Sequence, residues 1–447
     1  MEQTITGKLI QQIEKLSADQ LHLLFPKIKE AFLDFLAASY AARQEPAVKK
    51  VWAVLDTPGN APLIGQKAGC SAGKSALFNG YQGHYLDYDD TSGTVRGHVS
   101  AILIPVLLAL ASEKAVSGKR FLASYGVGEE IMARLGRCIG RTHYEKGFHN
   151  TATLGILAGA MAGAWLQNLD PGQMASALGL AATQSSGMRL QFGTETKPLQ
   201  VGLAAEKAVE AVYLAAAGVQ GHPAILDGPL GYFSLYGDGS QNVSPILCQE
   251  WGKNWDLLEN GLWFKQETFC SGAMHTRDAV EQIRAKNEFS SEAIERVEII
   301  FPPGGDAALV QTAPQTGEEG RFSAEYVAAI GLLGEPYTPE LFAPKPIPDR
   351  FRKLIQRTVR SHDGSVKPRP EAQPKGRFTI VKVWLKDGTC MESRVDVPKG
   401  APGNPLTEEE RQRKLLMCCG KRVATGFREI VGNLENLDSM EPLLQLL

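Results

Sequence analysis

The chain has 447 residues and a formal net charge of -2, with 43% hydrophobic and 21% charged residues, the profile of a globular protein long enough for two domains. No basic stripe stands out, which excludes the usual nucleic-acid-binding surface, and the longest apolar run, Thr151 to Leu166, falls short of the ~20 residues a membrane-spanning helix needs. Seven cysteines without a CxxC pair exclude a disulfide framework and a cysteine-rich zinc site, and with an amphipathic N-terminus that lacks an apolar signal region they predict a reduced, cytoplasmic protein.

To about residue 265 the pattern is helical. Ile28, Ala31, Phe32, Phe35 and Leu36 form an apolar stripe over Pro26 to Ala42. Gly69 to Gly73 spells GxSxG, and Ala68 to Ser75 (AGCSAGKS) is one glycine short of a phosphate loop. Both chemistries need a strand ahead of the turn. Pro58 to Ile64 reads as turn, so a helix start rich in small residues is the plainer reading. No GxGxxG and no HExxH occurs, which leaves nucleotide cofactors and zinc proteolysis without a signal.

Gly83 to His98 (GHYLDYDDTSGTVRGH) gathers His84, Asp87, Asp89, Asp90, Thr91 and His98 just ahead of the apolar run Ala101 to Leu110. Polar groups tied to a core element must pair or perform chemistry. The aspartates offer oxygen ligands for a divalent metal, but the Gly and Glu of an EF-hand loop are missing. The plainer reading has one Asp capping the next turn and another pairing with a cation such as Arg96. His98 reads as a helix cap or as a general acid titrating near neutrality.

Lys119 to Ile139 is a further helical stripe with Gly140 as its stop. Thr142 to His149 follows as a polar loop in which Tyr144 and His149 are able to donate to an anion or move protons. Thr151 to Leu166 reads as a buried helix. Asp170-Pro171 gives an N-cap and first-turn proline for a helix running to about Thr183. Lys197 stands just before another helix, with Pro198 in its first turn, as a carboxylate binder beside free backbone N–H groups or as an ordinary solvated lysine. Gly202 to Ala217 is Ala-rich. Small residues spaced along these helices predict a tightly packed bundle.

After about Lys265 the character changes. Cys270 to His275 opens a region with helices at Ala273 to Lys286, Ser323 to Leu333 and Asp349 to Arg360. Ile294 to Phe301 reads as a strand. Arg377 to Leu385 and Thr389 to Val397 flank Lys386-Asp387-Gly388, a hairpin signal. Helices beside a few antiparallel strands make an α+β domain. Lys399 to Pro405 is a linker, and Thr407 with Glu410 forms a capping box for a helical tail to Leu447.

The HYLDYDDT…H stretch, GFHNTATLG, TKPLQVGLAA, the His275 region, GRFSAEYVAA and PLTEEE, in that order, resemble the MmgE/PrpD family, which includes 2-methylcitrate dehydratase, cis-aconitate decarboxylase and iminodisuccinate epimerase. The resemblance implies a mainly α protein: a large, discontinuous all-helical bundle domain from 1–265 and 401–447, and a smaller α+β lid domain at 266–400. It implies an active site between them, a homodimer, no metal or organic cofactor, and a small di- or tricarboxylate substrate. By motif position it assigns catalysis to His98, Tyr144 and Lys197, with Tyr144 where the epimerase branch is expected to carry a catalytic tyrosine and His98 and Tyr144 as the proton-transfer pair. Asp87, Thr91, His149 and His275 take substrate-binding and orienting roles. Val99 stands where many members have proline, Gln200 where many have histidine, and Gly93, Arg96 and Gly97 lie between Thr91 and His98. These departures tell against a strict 2-methylcitrate or cis-aconitate assignment, and with the shorter length and Tyr144 they favour epimerisation; the alternatives are 2-methylcitrate-type dehydration, cis-aconitate-type decarboxylation and a catalytically inactive carboxylate-binding relative. All three reactions begin from charge developing beside a carboxylate.

Overall fold

The structure is a computed structural model that describes residues 3–55, 57–239 and 242–447. The chain is mainly α with small sheets and divides into two compact units. The first comprises Met1–Leu190, Glu195–Leu262 and Arg411–Leu447; the second comprises Gln191–Thr194 and Trp263–Glu410.

The first unit is a helical bundle. Its helices include α1 (Phe25–Ala42), α2 (Ala72–Tyr85), α3 (Ser100–Ala111), α4 (Gly118–Glu145), α5 (Asn150–Leu166), α6 (Pro171–Ala182) and α7 (Thr196–Ala216). Every residue of α3 and of α5 is buried, as expected of helices apolar on all faces. Glycines let them pack closely. A Cβ at Gly155 would lie 2.7 Å from Ile102, and one at Gly163 would lie 2.6 Å from Leu110. The α2–α7 crossing is tighter still, for a Cβ at Gly202 would lie 2.3 Å from the Leu77 carbonyl oxygen. Asp170 caps α6 through a full capping box with Gln173. The C-terminal segment adds α12 (Lys421–Gly432), which packs on α1.

Two expectations for this unit change. Gly140, with φ 72 and ψ -170, does interrupt α4, but helical structure resumes to Glu145. Tyr144 therefore sits on a helical turn and not in a loop. Ala61–Pro62 and Gly69–Cys70 form a two-residue antiparallel ribbon ahead of α2, where the sequence reads as turn alone.

In the second unit, helices α8 (Met274–Lys286), α9 (Ala324–Leu332) and α10 (Asp349–Ile355) accompany a four-stranded sheet. Its strands are β1 (Ile294–Phe301), β2 (Thr358–His362), β3 (Thr379–Leu385) and β4 (Cys390–Val395), in the order β2-β1-β3-β4. Helix α8 covers β3 and β4, and α9 packs on α8. Phe269, Phe301, Tyr326, Phe342 and Phe351 lie in the core. The β3–β4 hairpin is antiparallel as expected. The helix expected over 349–360 stops at Ile355, and Thr358–His362 becomes an edge strand parallel to β1. Thr358 and Val359 are β-branched and suit a pleated edge, and Arg360 ties that edge to Glu325 at 2.6 and 2.9 Å. Thr407 and Glu410 form their reciprocal cap at 3.2 and 2.7 Å ahead of α11 (Glu408–Cys419). Among the described residues no helix is long and apolar enough to cross a membrane.

Candidate active site

The buried turn between α2 and α3 carries Asp87, Asp89, Asp90 and His98, with His84 at the end of α2. Helix α2 ends at Tyr85, and Asp87 follows in the left-handed region at φ 52, a conformation Asp tolerates better than most residues. The chain then closes a small loop through the Ser92–Gly97 bridge. Helix α5 holds this loop from the side. The His98 N–H donates to Thr151 Oγ1 at 3.0 Å, and Asn150 Nδ2 donates to the Val95 carbonyl at 2.8 Å. Asp90 caps α3, accepting from the Ser100 N–H at 3.2 Å and from the Ser100 hydroxyl.

Five side chains then converge. The Lys197 ammonium, from the first turn of α7, donates to Asp87 Oδ1 at 2.5 Å. His98 Nε2 lies 3.3 Å from the same oxygen, while His98 Nδ1 lies 2.9 Å from Asp89 Oδ2. His84 Nδ1 reaches both Asp89 oxygens at 2.9 and 3.0 Å. The rings of His84 and His98 meet edge to face at 4.2 Å. All of these residues are buried.

Burial works against charge on Asp89, but His84 and His98 outweigh it and hold its carboxyl well below the usual carboxylate range. Burial lowers His84, against the pull of Asp89; the neutral ring donates its Nδ1–H to that carboxylate. Asp90 behaves oppositely. Burial pushes its carboxyl up to about 7, against its bonds to Ser100. Adjacent aspartates are thus shifted in opposite directions: two imidazoles lower Asp89, while burial raises Asp90 against its bonds to the helix start.

His149 is the N-cap residue of α5, and its N–H donates to the Gly187 carbonyl at 3.1 Å. Its ring lies 6.2 Å from that of His84. Burial, then Lys197 and the two neighbouring histidines, hold it well below its ordinary value, and a hydrogen bond with Gln200 opposes them. Gln200 also accepts from the Met188 N–H at 2.6 Å and donates to its carbonyl at 3.1 Å. Thr91 is buried at the start of the small loop. Tyr144 has a different setting: its ring lies under the Arg189 guanidinium at 3.9 Å, and its carbonyl accepts from Arg189 at 2.6 Å. His275 belongs to the second unit, where its Nε2 lies 2.9 Å from the Gln373 carbonyl and burial, then Arg377, keep the ring well below its ordinary value.

The structure thus brings Asp87, His98, Lys197 and His149 together, and adds Asp89, which the sequence offers only as a metal ligand, cap or ion-pair partner, and His84, to which it gives no role. Their signal was present in the spacing: His84 ends a helix and Asp89 lies in the turn that doubles back on it. The expected partner for one of these aspartates, a cation such as Arg96, is Lys197 instead. Lys197 is the partner of Asp87, and Arg96 has Arg141, Glu145 and Tyr144 as its electrostatic neighbours. His84, Asp87, Asp89 and His98 present ligand-type atoms within 4.8 Å of one another. That donor set suits a divalent ion in kind, but a second cation there would meet the ammonium already seated on Asp87. The cluster reads better as a relay that sets one imidazole between two carboxylates beside a lysine ammonium. Such a group can deliver or accept a proton next to a developing carbanion.

The family model for the MmgE/PrpD N-terminal domain matches residues 7–244, and that for the MmgE/PrpD C-terminal domain matches residues 268–436. Curated relatives include cis-aconitate decarboxylase of Mus musculus, 28% identical over 399 residues, covering 83% of this chain and 78% of the relative. The Homo sapiens cis-aconitate decarboxylase is 27% identical over 390 residues, covering 83% and 79%. That of Aspergillus terreus (strain NIH 2624 / FGSC A1156) is 25% identical over 485 residues, covering 99% and 96%.

Proposed function

The chain belongs to the MmgE/PrpD family, and from that premise we propose that it is a lyase acting on a small unsaturated tricarboxylate of the cis-aconitate kind, releasing CO2 by acid/base chemistry that needs no cofactor. The decarboxylase relatives back decarboxylation better than the epimerisation that the sequence alone favoured. Tyr144 and the departures at Val99 and Gln200 still speak for epimerisation.

The observation that carries the reading is the placement of His98 between Asp87 and Asp89 with Lys197 on Asp87. In the proposed reaction the bond from carbon to the departing carboxylate breaks. Its electron pair spreads through the adjacent double bond onto a second carboxylate. Lys197 opposes that charge, worth several kcal/mol in a site this buried. Protonated His98 then gives its proton to carbon, and the product is a dicarboxylate. Asp89 holds the Nδ1 side of the ring, which leaves Nε2 as the exchanging end. Asp87 and Thr91 orient, and His149, kept neutral, contributes a hydrogen bond to a carboxylate. The resemblance also gives His275 a substrate-carboxylate role and supports a homodimer, and the cysteine pattern supports a cytoplasmic protein.

The test is an NMR time course in D2O with purified enzyme and cis-aconitate, 2-methylcitrate and iminodisuccinate. Loss of one carboxyl carbon with one deuteron gained at carbon supports the lyase reading. Deuterium exchange with every carboxylate retained supports epimerisation instead.

A further inference from the structure

We propose that Lys414, in the C-terminal segment, is a positioning residue that fixes the turn carrying Asp87 and Asp89 by gripping the backbone between them. The proposal rests on the reading that Asp87, Asp89 and His98 act in the reaction. Lys414 is 5% exposed and lies 326 residues from Tyr88 in sequence. Its ammonium donates to the Tyr88 carbonyl at 2.8 Å and to Asp34 Oδ1 of α1 at 2.6 Å, and it stands 3.9 Å from the centroid of the Tyr88 ring.

Tyr88 separates Asp87 from Asp89. With its carbonyl tied down and its ring under the ammonium, the peptide plane between Tyr88 and Asp89 has one orientation. Asp87, on one side, then faces Lys197 and His98; Asp89, on the other, faces His84 and His98. Asp87 sits at φ 52, a region that a residue other than glycine keeps only when its surroundings hold it there. A buried carbonyl needs a donor, and a charged donor is the stronger kind.

Stability alone does not call for this device. Tyr88 belongs to an apolar cluster with Tyr85, Leu86, Phe78 and Leu77, and a buried ion pair beside such a cluster is commonly matched or bettered by apolar side chains of similar size. What apolar packing does not replace is the grip on the Tyr88 carbonyl.

The experiment compares wild type, Lys414→Met, Asp34→Asn and the double variant Asp34→Leu/Lys414→Met by thermal unfolding, steady-state kinetics and amide hydrogen exchange of the Leu86–Thr91 peptide. The proposal expects the double variant to melt above Lys414→Met, which also strands Asp34, and below wild type only by the cost of the unpartnered Tyr88 carbonyl. Its turn should nevertheless exchange faster, and its kcat should fall at least about tenfold with KM little changed. Asp34→Asn, which keeps the Tyr88 contact, should hold both exchange and kcat near wild type even if its melting point falls. Wild-type exchange and kcat in the double variant overturn the proposal. So does a kcat loss that tracks melting temperature equally in Asp34→Asn and Lys414→Met, the pair that remains informative if the double variant does not fold. If wild type turns over no carboxylate, the functional reading fails, and the exchange of the turn still decides whether Lys414 grips it.

Discussion

Replacing Gly202 by alanine tests whether the helix crossing that delivers Lys197 is as tight as its geometry says. The new Cβ would lie 2.3 Å from the Leu77 carbonyl oxygen and 3.2 Å from Tyr81 N, where ordinary contact begins at 3.4 Å. Both neighbours are backbone, so no rotamer change relieves the clash. Helices α2 and α7 must part by about 1 Å in a core that packs like a crystal, at a cost of about 1–3 kcal/mol. Lys197 lies on α7 ahead of Gly202, and Asp87 follows the end of α2. The same movement therefore lengthens the Lys197–Asp87 contact, now 2.5 Å. A misplacement of about 1 Å in a reacting constellation costs about 100-fold in rate. The assay is a urea titration followed by far-UV circular dichroism, paired with kcat. Gly73→Ala is the control, because a Cβ there meets only Glu206 Cγ at 3.6 Å; it should be neutral or slightly stabilising. If Gly202→Ala matches wild type in both midpoint and kcat, the argument from close approach is wrong.

Other consequences are measurable alongside. His98→Asn should lower kcat by about 100-fold or more while changing KM far less, as read by steady-state kinetics. Asp90, raised by burial from 3.8 to about 7, holds its proton in the folded state when the unfolded chain has lost it. Its favourable term is complete below the unfolded value and is lost as pH rises toward about 7, so Asp90→Asn should flatten the fall in urea midpoint across that window. Glu129 is raised well above its ordinary value by burial first and then by Asp256 and Glu130. Neither of its carboxylate oxygens has a hydrogen-bond partner among the described residues. Glu129→Met should therefore raise the midpoint, and more at pH 8 than at pH 4. Treatment with a strong chelator followed by gel filtration should leave turnover unchanged, since the reading assigns every step to side chains.

The bundle was legible because its evidence is local. Apolar stripes, the Asp170-Pro171 start and the Thr407–Glu410 cap each signal a boundary within a few residues. Lys386-Asp387-Gly388 marks the hairpin for the same reason. Thr358–His362 was misread as the end of a helix because its strand identity comes from pairing with Val297 to Phe301, a tertiary contact. The site divides along the same line. His98, Lys197, Asp87 and His149 stand in motifs that draw notice one by one. Asp89 and His84 acquire a role only when two imidazole Nδ1 atoms meet one carboxylate. Lys414 carries no local signal, since its meaning depends on a carbonyl reached from the far end of the chain.

The central claim is that His98, set between two carboxylates beside Lys197, returns a proton to carbon after CO2 leaves. It is tested most directly by incubating wild type and His98→Asn with cis-aconitate in D2O and following released CO2 together with deuterium in the product. The account predicts one CO2 and one carbon-bound deuteron per turnover in wild type, with both lost together in His98→Asn. Undiminished CO2 release by His98→Asn, or deuterium exchange in wild type with all three carboxylates intact, would contradict it.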